Sequence, residues 1–139
     1  MRPRKLLCQM GPAGYWLSLR KEYLLRDAKT LFSGQRYARR RDPEPLPCIV
    51  KGHTSPLLRR LHGVDMELQK GKVKNLALAA ARLNGVIIRP GETFSFWGLI
   101  GHPTRKQGYT DGLVIAGTRM KPGLAGGLCQ LANMTHWLV

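Results

Sequence analysis

The stretch GLAGGLCQLANMTHW, residues 123–137, places a single thiol, Cys129, behind a glycine turn and directly ahead of a helical pattern. Gly126 and Gly127 let the backbone turn with no side chain in the way, and Leu131, Met134 and Leu138 then recur at helical spacing. A thiol at a helix start meets the positive end of the backbone dipole, which favours the thiolate, the nucleophilic form. The same position also suits a small buried residue, and both readings stand at this point. A cysteine nucleophile needs a base within hydrogen-bond reach and a donor for the developing oxyanion. Gln130 is the candidate donor, and His102 and His136 are the candidate bases. On one helix His136 lies ~10 Å along the axis from Cys129, too far for a direct bond.

A second candidate is Glu92, in RPGETF, with few acidic neighbours. As a general acid or base it needs a partner, and the next carboxylate is Asp111, in GYTDG beside Tyr109. The expectation is a polar cleft in which Glu92, Tyr109, Asp111 and Cys129 face common solvent, bounded by Gln130, Gly126 and Gly127. The plainer alternative has Glu92 accepting backbone donors in its own turn. His53, His62, His102 and His136 show neither HExxH nor paired CxxC spacing, and Cys48 with His53 lacks a second ligand pair. No metal and no other cofactor is expected.

The charge balance points to polyanions. Lys and Arg total 23 against 8 acidic residues, a net charge of +15 with a pI near 10.6. Residues 1–60 carry 14 basic and 4 acidic side chains, and residues 61–139 carry 9 and 4, which reads as a basic N-terminal arm on a more conventional folded part. The run Arg39-Arg40-Arg41 is a candidate contact for an anionic membrane surface or nucleic acid, weighed against a merely solvated loop. Tyr15, Trp16 and Tyr37 lie near basic residues and are able to stack bases, but no RRM, KH or zinc-finger pattern accompanies them. The aromatic residues at 15, 16 and 23 read better as helix core. Cys8, Cys48 and Cys129 are sparse and odd in number, unlike a disulfide framework, so reduced thiols and a cytoplasmic, at most membrane-peripheral, location are expected. The apolar start is broken by Gln9, Gly11, Pro12 and Gly14, against a secretory signal. No window approaches the roughly 20 apolar residues of a transmembrane segment.

The elements that must position these residues follow from periodicity. Residues 15–32 fit an amphipathic helix with Trp16, Leu19, Tyr23, Leu24, Ala28 and Leu31 on a broad apolar face, stopped by Ser33-Gly34. Pro43, Pro45 and Pro47 make residues 35–48 an extended linker. Residues 65–83 repeat Val73, Leu76, Ala77, Ala80 and Leu83 at three or four residues, an alanine-rich helix stopped by Asn84-Gly85. Val86-Ile87-Ile88 and the alternating TFSFW, joined by a Pro-Gly turn, suggest a hairpin or a strand and loop. Beyond Gly101 the chain reads as loop-rich, with GLVIAG at 112–117 the best remaining strand. The fold class is α+β: N-terminal helices, then a small β-rich region, then a closing helix. Residues 1–48 form the basic helical arm and linker, and 49–139 the second domain.

LNGVIIRPGETFSFW (83–97), GHPTRKQGYTDGLVIAGTRMKPG (101–123) and GLAGGLCQLANMTHWLV (123–139) together resemble the VanW family. So do the approach helix VDMELQKGKVKNLALAAARL and the upstream LLRRL. PGETFSF combined with GGxCQ is the specific signature. The resemblance implies a bacterial protein of glycopeptide-resistance or envelope context, binding or processing a peptidoglycan-related molecule, with Cys129 as nucleophile or contact. Family motif positions carry over to Asn84, Gly85, Pro90, Gly91, Glu92, Thr93, Phe94, Ser95, Gly108, Tyr109, Gly126, Gly127, Cys129 and Gln130. Ala125 departs from the family's usual glycine. The family also continues through further strands and a histidine-bearing stretch, whereas this sequence ends ten residues after Cys129. The resemblance thus implies a C-terminally truncated form; any cysteine-dependent hydrolase or transferase activity would be absent from it.

Overall fold

A computed structural model describes residues 11–58, 65–116 and 119–139. Cys8 and His62 lie outside the described residues. The chain divides into two units, residues 1–36 and 37–139.

The first unit contains one helix, α1 (Pro12–Phe32). Pro12 suits the first helical turn, where its missing N–H leaves no gap, and Ser33 closes the helix before Gly34 at φ +64°. The expected core face is not a core. No residue of α1 is buried, and Trp16, Leu24 and Leu31 are 56%, 71% and 78% exposed. Periodicity located the helix; nothing in it specified a surface to cover the leucines.

In the second unit, α2 (Met66–Leu83) is the central element. Asp65 caps it by accepting from Glu67 N at 2.9 Å, Glu67 sits in the first turn, and Gly85 at φ +72° ends it. Its buried stripe is Gln69, Lys72, Asn75, Leu76 and Ala79. That corrects the expected apolar face: Ala77 and Ala80 are exposed, and three of the five residues of the buried stripe are polar or charged. Methyl groups of alanine gain little from burial, so the hydrogen bonds of Asn75 set the rotation of the helix.

β1 (Arg36–Tyr37) enters the second unit at Tyr37 and pairs with β2 (Glu92–Thr93), Ala38 N donating to Thr93 O at 3.1 Å. The linker expected over residues 35–48 is paired at its start and bends at Pro43-Glu44 and again at Pro47. Its residues 40–42 run antiparallel to 85–87, with Ile87 N donating to Arg40 O and Asp42 N to Gly85 O. Val86-Ile87 therefore pairs with the arginine run, not with TFSFW. Nor is TFSFW one strand. The Ser95 hydroxyl accepts from Gly98 N at 3.1 Å and caps α3 (Phe96–Ile100), which takes Phe96 and Trp97 into a helix.

β3 (Asp111–Ala116) is the expected strand. Its partner β4 (Arg119–Leu124) lies where loop was expected, paired from Asp111↔Leu124 to Ala116↔Arg119. Pro122 and Gly123 disguised it. In a two-stranded ribbon one backbone edge needs no partner, so proline is tolerated. The closing helix α4 (Leu128–Leu138) follows the glycine turn as expected. The core packs Ala79, Ile100, Tyr109 and Leu128 together, with Leu78, Leu83, Phe96, Ala125 and Leu131 around them.

Candidate functional site

The turn into α4 is built by close approach of backbone to backbone. A Cβ at Gly126 would run into the backbone of Gly112 and Leu113, one at Gly71 into the carbonyl of Asp111, and one at Gly127 into the stem of Lys72. Glycine at these positions lets β3 and the turn lie directly on α2. Asn75 locks the arrangement: its Nδ2 donates to Thr110 O at 3.0 Å and to Gly126 O at 3.1 Å, and its Oδ1 accepts from Thr110 N at 2.9 Å. Ala125 N donates to Thr110 O at 3.0 Å. Tyr109-Thr110-Asp111 and Ala125-Gly126-Gly127 therefore meet on α2, although about fifteen residues separate them in sequence.

Gly127 is the N-cap of α4, at φ +98°, so Cys129 is the second helical residue. Its thiol is free and exposed. Helical geometry explains this: Leu128 and Leu131, the core-facing residues, lie about 100° and 200° around the axis from Cys129, so the thiol points away from the core. The reading of Cys129 as a buried packing residue is overturned. Gln130 is held by donation from its Nε2 to Ser55 Oγ at 3.2 Å. His136 is exposed on the same continuous helix, two turns beyond the thiol. Cys129 makes no hydrogen bond or ion pair with another described residue.

The other candidates are engaged elsewhere. Glu92 Oε2 accepts from Arg89 N at 3.0 Å within its own turn, and Glu92 N donates to Arg89 O at 2.9 Å, which is the plainer of its two expected roles. Asp111 takes a bidentate ion pair from Arg105 Nη2, at 2.8 Å to each carboxylate oxygen. Tyr109 is 2% exposed, a core side chain, and its hydroxyl has no partner among the described residues. Burial raises the Tyr109 phenol above the ordinary tyrosine range, opposed by the charge of Arg82. Gly126 and Gly127 are buried. No hydrogen bond or ion pair among the described residues links Glu92, Tyr109, Asp111 and Cys129 to one another. Arg41, of the basic run, donates through Nη2 to the carbonyl of Arg82 at 2.6 Å and so caps the end of α2, while Arg39 and Arg40 are exposed.

An open groove of about 520 Å³ lies beside α4, lined by Ala80, Leu83, Val86, Phe94, Leu131 and Leu138 among others. It is apolar, and none of the candidate site residues lines it. Among the described residues no group of three or more His, Cys, Asp or Glu is placed to hold a metal ion.

Sequence reasoning missed Asn75 as the organising residue. The signal for it was an asparagine inside an alanine-rich helix, where its propensity is poor.

Comparison with known proteins places these segments in a common frame. The family model described as "VanW like protein" matches residues 71–139. The chain is similar to the vancomycin B-type resistance protein VanW of Enterococcus faecalis (strain ATCC 700802 / V583), 40% identical over 107 residues covering 77% of this chain and 39% of that protein. It is also similar to the uncharacterized protein YoaR of Bacillus subtilis (strain 168), 33% identical over 64 residues, 46% of this chain and 21% of that protein. The chain thus spans about two fifths of the first relative's length and one fifth of the second's. No solved structure matches.

Proposed function

Because the chain belongs to the VanW family, we propose that it is a vancomycin-resistance-related protein of the bacterial cell envelope that contacts a peptidoglycan-related molecule at the start of α4, with Cys129 at the centre of the contact. The observation that carries this reading is the exposed thiol of Cys129 at the second position of a helix whose preceding turn is fixed by Asn75 and two buried glycines. A small exposed nucleophile on a rigid turn is held in one orientation toward a ligand. Gln130, pinned one residue on, presents its remaining amide capacity to a polar group beside the sulfur. The glycopeptide-resistance role comes from the E. faecalis relative's name, "Vancomycin B-type resistance protein VanW".

The test is alkylation of the full chain with iodoacetamide near neutral pH, mapped by peptide mass spectrometry. Cys48 is an internal control, since both thiols are exposed. Cys129, at the second position of α4, is expected to label faster than Cys48, which lies outside any helix or strand. A soluble peptidoglycan fragment is expected to protect Cys129 and leave Cys48 unchanged. Equal labelling of the two thiols removes the activated thiol, and absence of protection removes the ligand contact.

A further inference from the structure

We propose that α1 is an interfacial helix that docks the chain on an anionic lipid bilayer. The inference is independent of the thiol reading, and α1 lies outside the residues matched by the family model. None of the 21 residues of α1 is fully buried, and eight large apolar or aromatic side chains on it are exposed. Leu17, Leu24 and Leu31 recur every seven residues, so they form one stripe down the helix with a drift of only about 20° per step. They are 53%, 71% and 78% exposed. A soluble surface does not ordinarily leave such a stripe uncovered.

The basic side chains decide what covers it. Arg20 and Lys21 fall on the two flanks of the leucine stripe, roughly 40–60° to either side by helical geometry. The Arg20 guanidinium lies 5.0 Å from the centre of the Trp16 ring, and that of Arg26 5.3 Å from the centre of the Tyr23 ring. Each pair joins a cation to an amphipathic ring, the combination that sits at headgroup level with apolar stems below and charge above. Residues 1–41 carry 11 Lys and Arg against Glu22 and Asp27, so the charge of this region complements an anionic leaflet. A nucleic-acid backbone would take up the cations but offer nothing to Leu24, Leu31 and Phe32. A bilayer surface accommodates both. The helix lies on such a surface and does not cross it: Arg20, Lys21, Glu22, Arg26, Asp27 and Lys29 interrupt it, and no helix among the described residues is long and apolar enough to span a membrane.

The experiment is co-sedimentation of the full chain with vesicles of phosphatidylcholine alone or mixed with phosphatidylglycerol, at low and high NaCl. Binding is expected to the mixed vesicles, weakened but not abolished by salt. The double substitution Leu24→Glu/Leu31→Glu is expected to weaken it at least about tenfold, with helix content by circular dichroism unchanged. Ile49→Glu/Val50→Glu, which charges two side chains 91% and 95% exposed outside α1, is expected to leave it intact. Arg20→Gln/Lys21→Gln retains the leucines and is expected to reduce binding at low salt only, an independent readout if the first variant loses its helix. Equal binding to neutral vesicles, or equal loss from the Ile49/Val50 control, overturns the proposal. So does binding to RNA with none to vesicles, or concentration-dependent dimerisation, abolished by Leu24→Glu/Leu31→Glu, without vesicle binding.

Discussion

Asn75 is fully buried and makes three hydrogen bonds, two as donor and one as acceptor, that join Thr110 and Gly126 to α2. Asn75→Ala leaves Thr110 N–H and two carbonyls without their side-chain partner and opens a small void. The expected loss is roughly 3 kcal/mol, read as a lowered midpoint in urea unfolding; a change below about 0.5 kcal/mol would show that the clamp is not what fixes α2. Tyr109 gives a pH signature. Its phenol is raised by burial, whereas the unfolded chain releases that proton near pH 10. Above about pH 10 the folded state therefore binds more protons than the unfolded one, and stability falls as pH rises through that window while being fully present below it. In Tyr109→Phe this alkaline loss is expected to be smaller. At neutral pH the same variant is expected to be neutral or slightly stabilising, because the buried hydroxyl has no partner among the described residues.

The turn between β4 and α4 concentrates unusual backbone. Ala125 has φ +58°, the only non-glycine residue with positive φ among those described. A left-handed alanine costs about 1 kcal/mol relative to glycine, partly offset by glycine's greater freedom when unfolded. Ala125→Gly is accordingly expected to stabilise by roughly 0.5 kcal/mol, visible as a small rise in melting temperature; a fall would mean that its methyl packing against the core matters more than the strain. Gly126→Ala is the contrasting change. Its new Cβ would meet the backbone of Gly112 and Leu113, neither of which is able to yield, so loss of several kcal/mol or failure to fold is expected. Gly52→Ala, with open space around it and no positive φ, is expected to be silent in the same melt.

The two units differ in what holds them. Every buried residue among those described, from Ala38 to Leu128, belongs to residues 37–139, and α1 contributes none. Deleting residues 1–36 is therefore expected to leave the cooperative thermal transition of the remainder nearly unchanged. A broadened or lost transition would show that α1 supplies core the exposures do not reveal. The basic surplus is spread over both units. Interactions among exposed charges are screened beyond ~8 Å at physiological salt, so the surplus governs encounter with anionic surfaces more than stability.

Local signals in the chain determined a good deal. Ser33-Gly34 ends α1, Asp65 and Gly85 delimit α2, and Gly126-Gly127 announces α4, because caps and turns act over one or two residues; α1 itself starts at Pro12, three residues ahead of the helix that periodicity predicts. Periodicity likewise placed β3, and the PGETFSF and GGxCQ segments placed the family. What local signals lack is the identity of the opposing surface. Whether Cys129 faces core or water, whether Val86-Ile87 pairs with TFSFW or with Arg40–Asp42, and whether α1 buries its leucines all depend on residues tens of positions away. Asn75 shows the reason most plainly. A polar side chain in an alanine-rich helix is a poor residue for that helix alone, and only the Thr110 and Gly126 backbone brought against it by the tertiary fold turns it into the fixed point of the site.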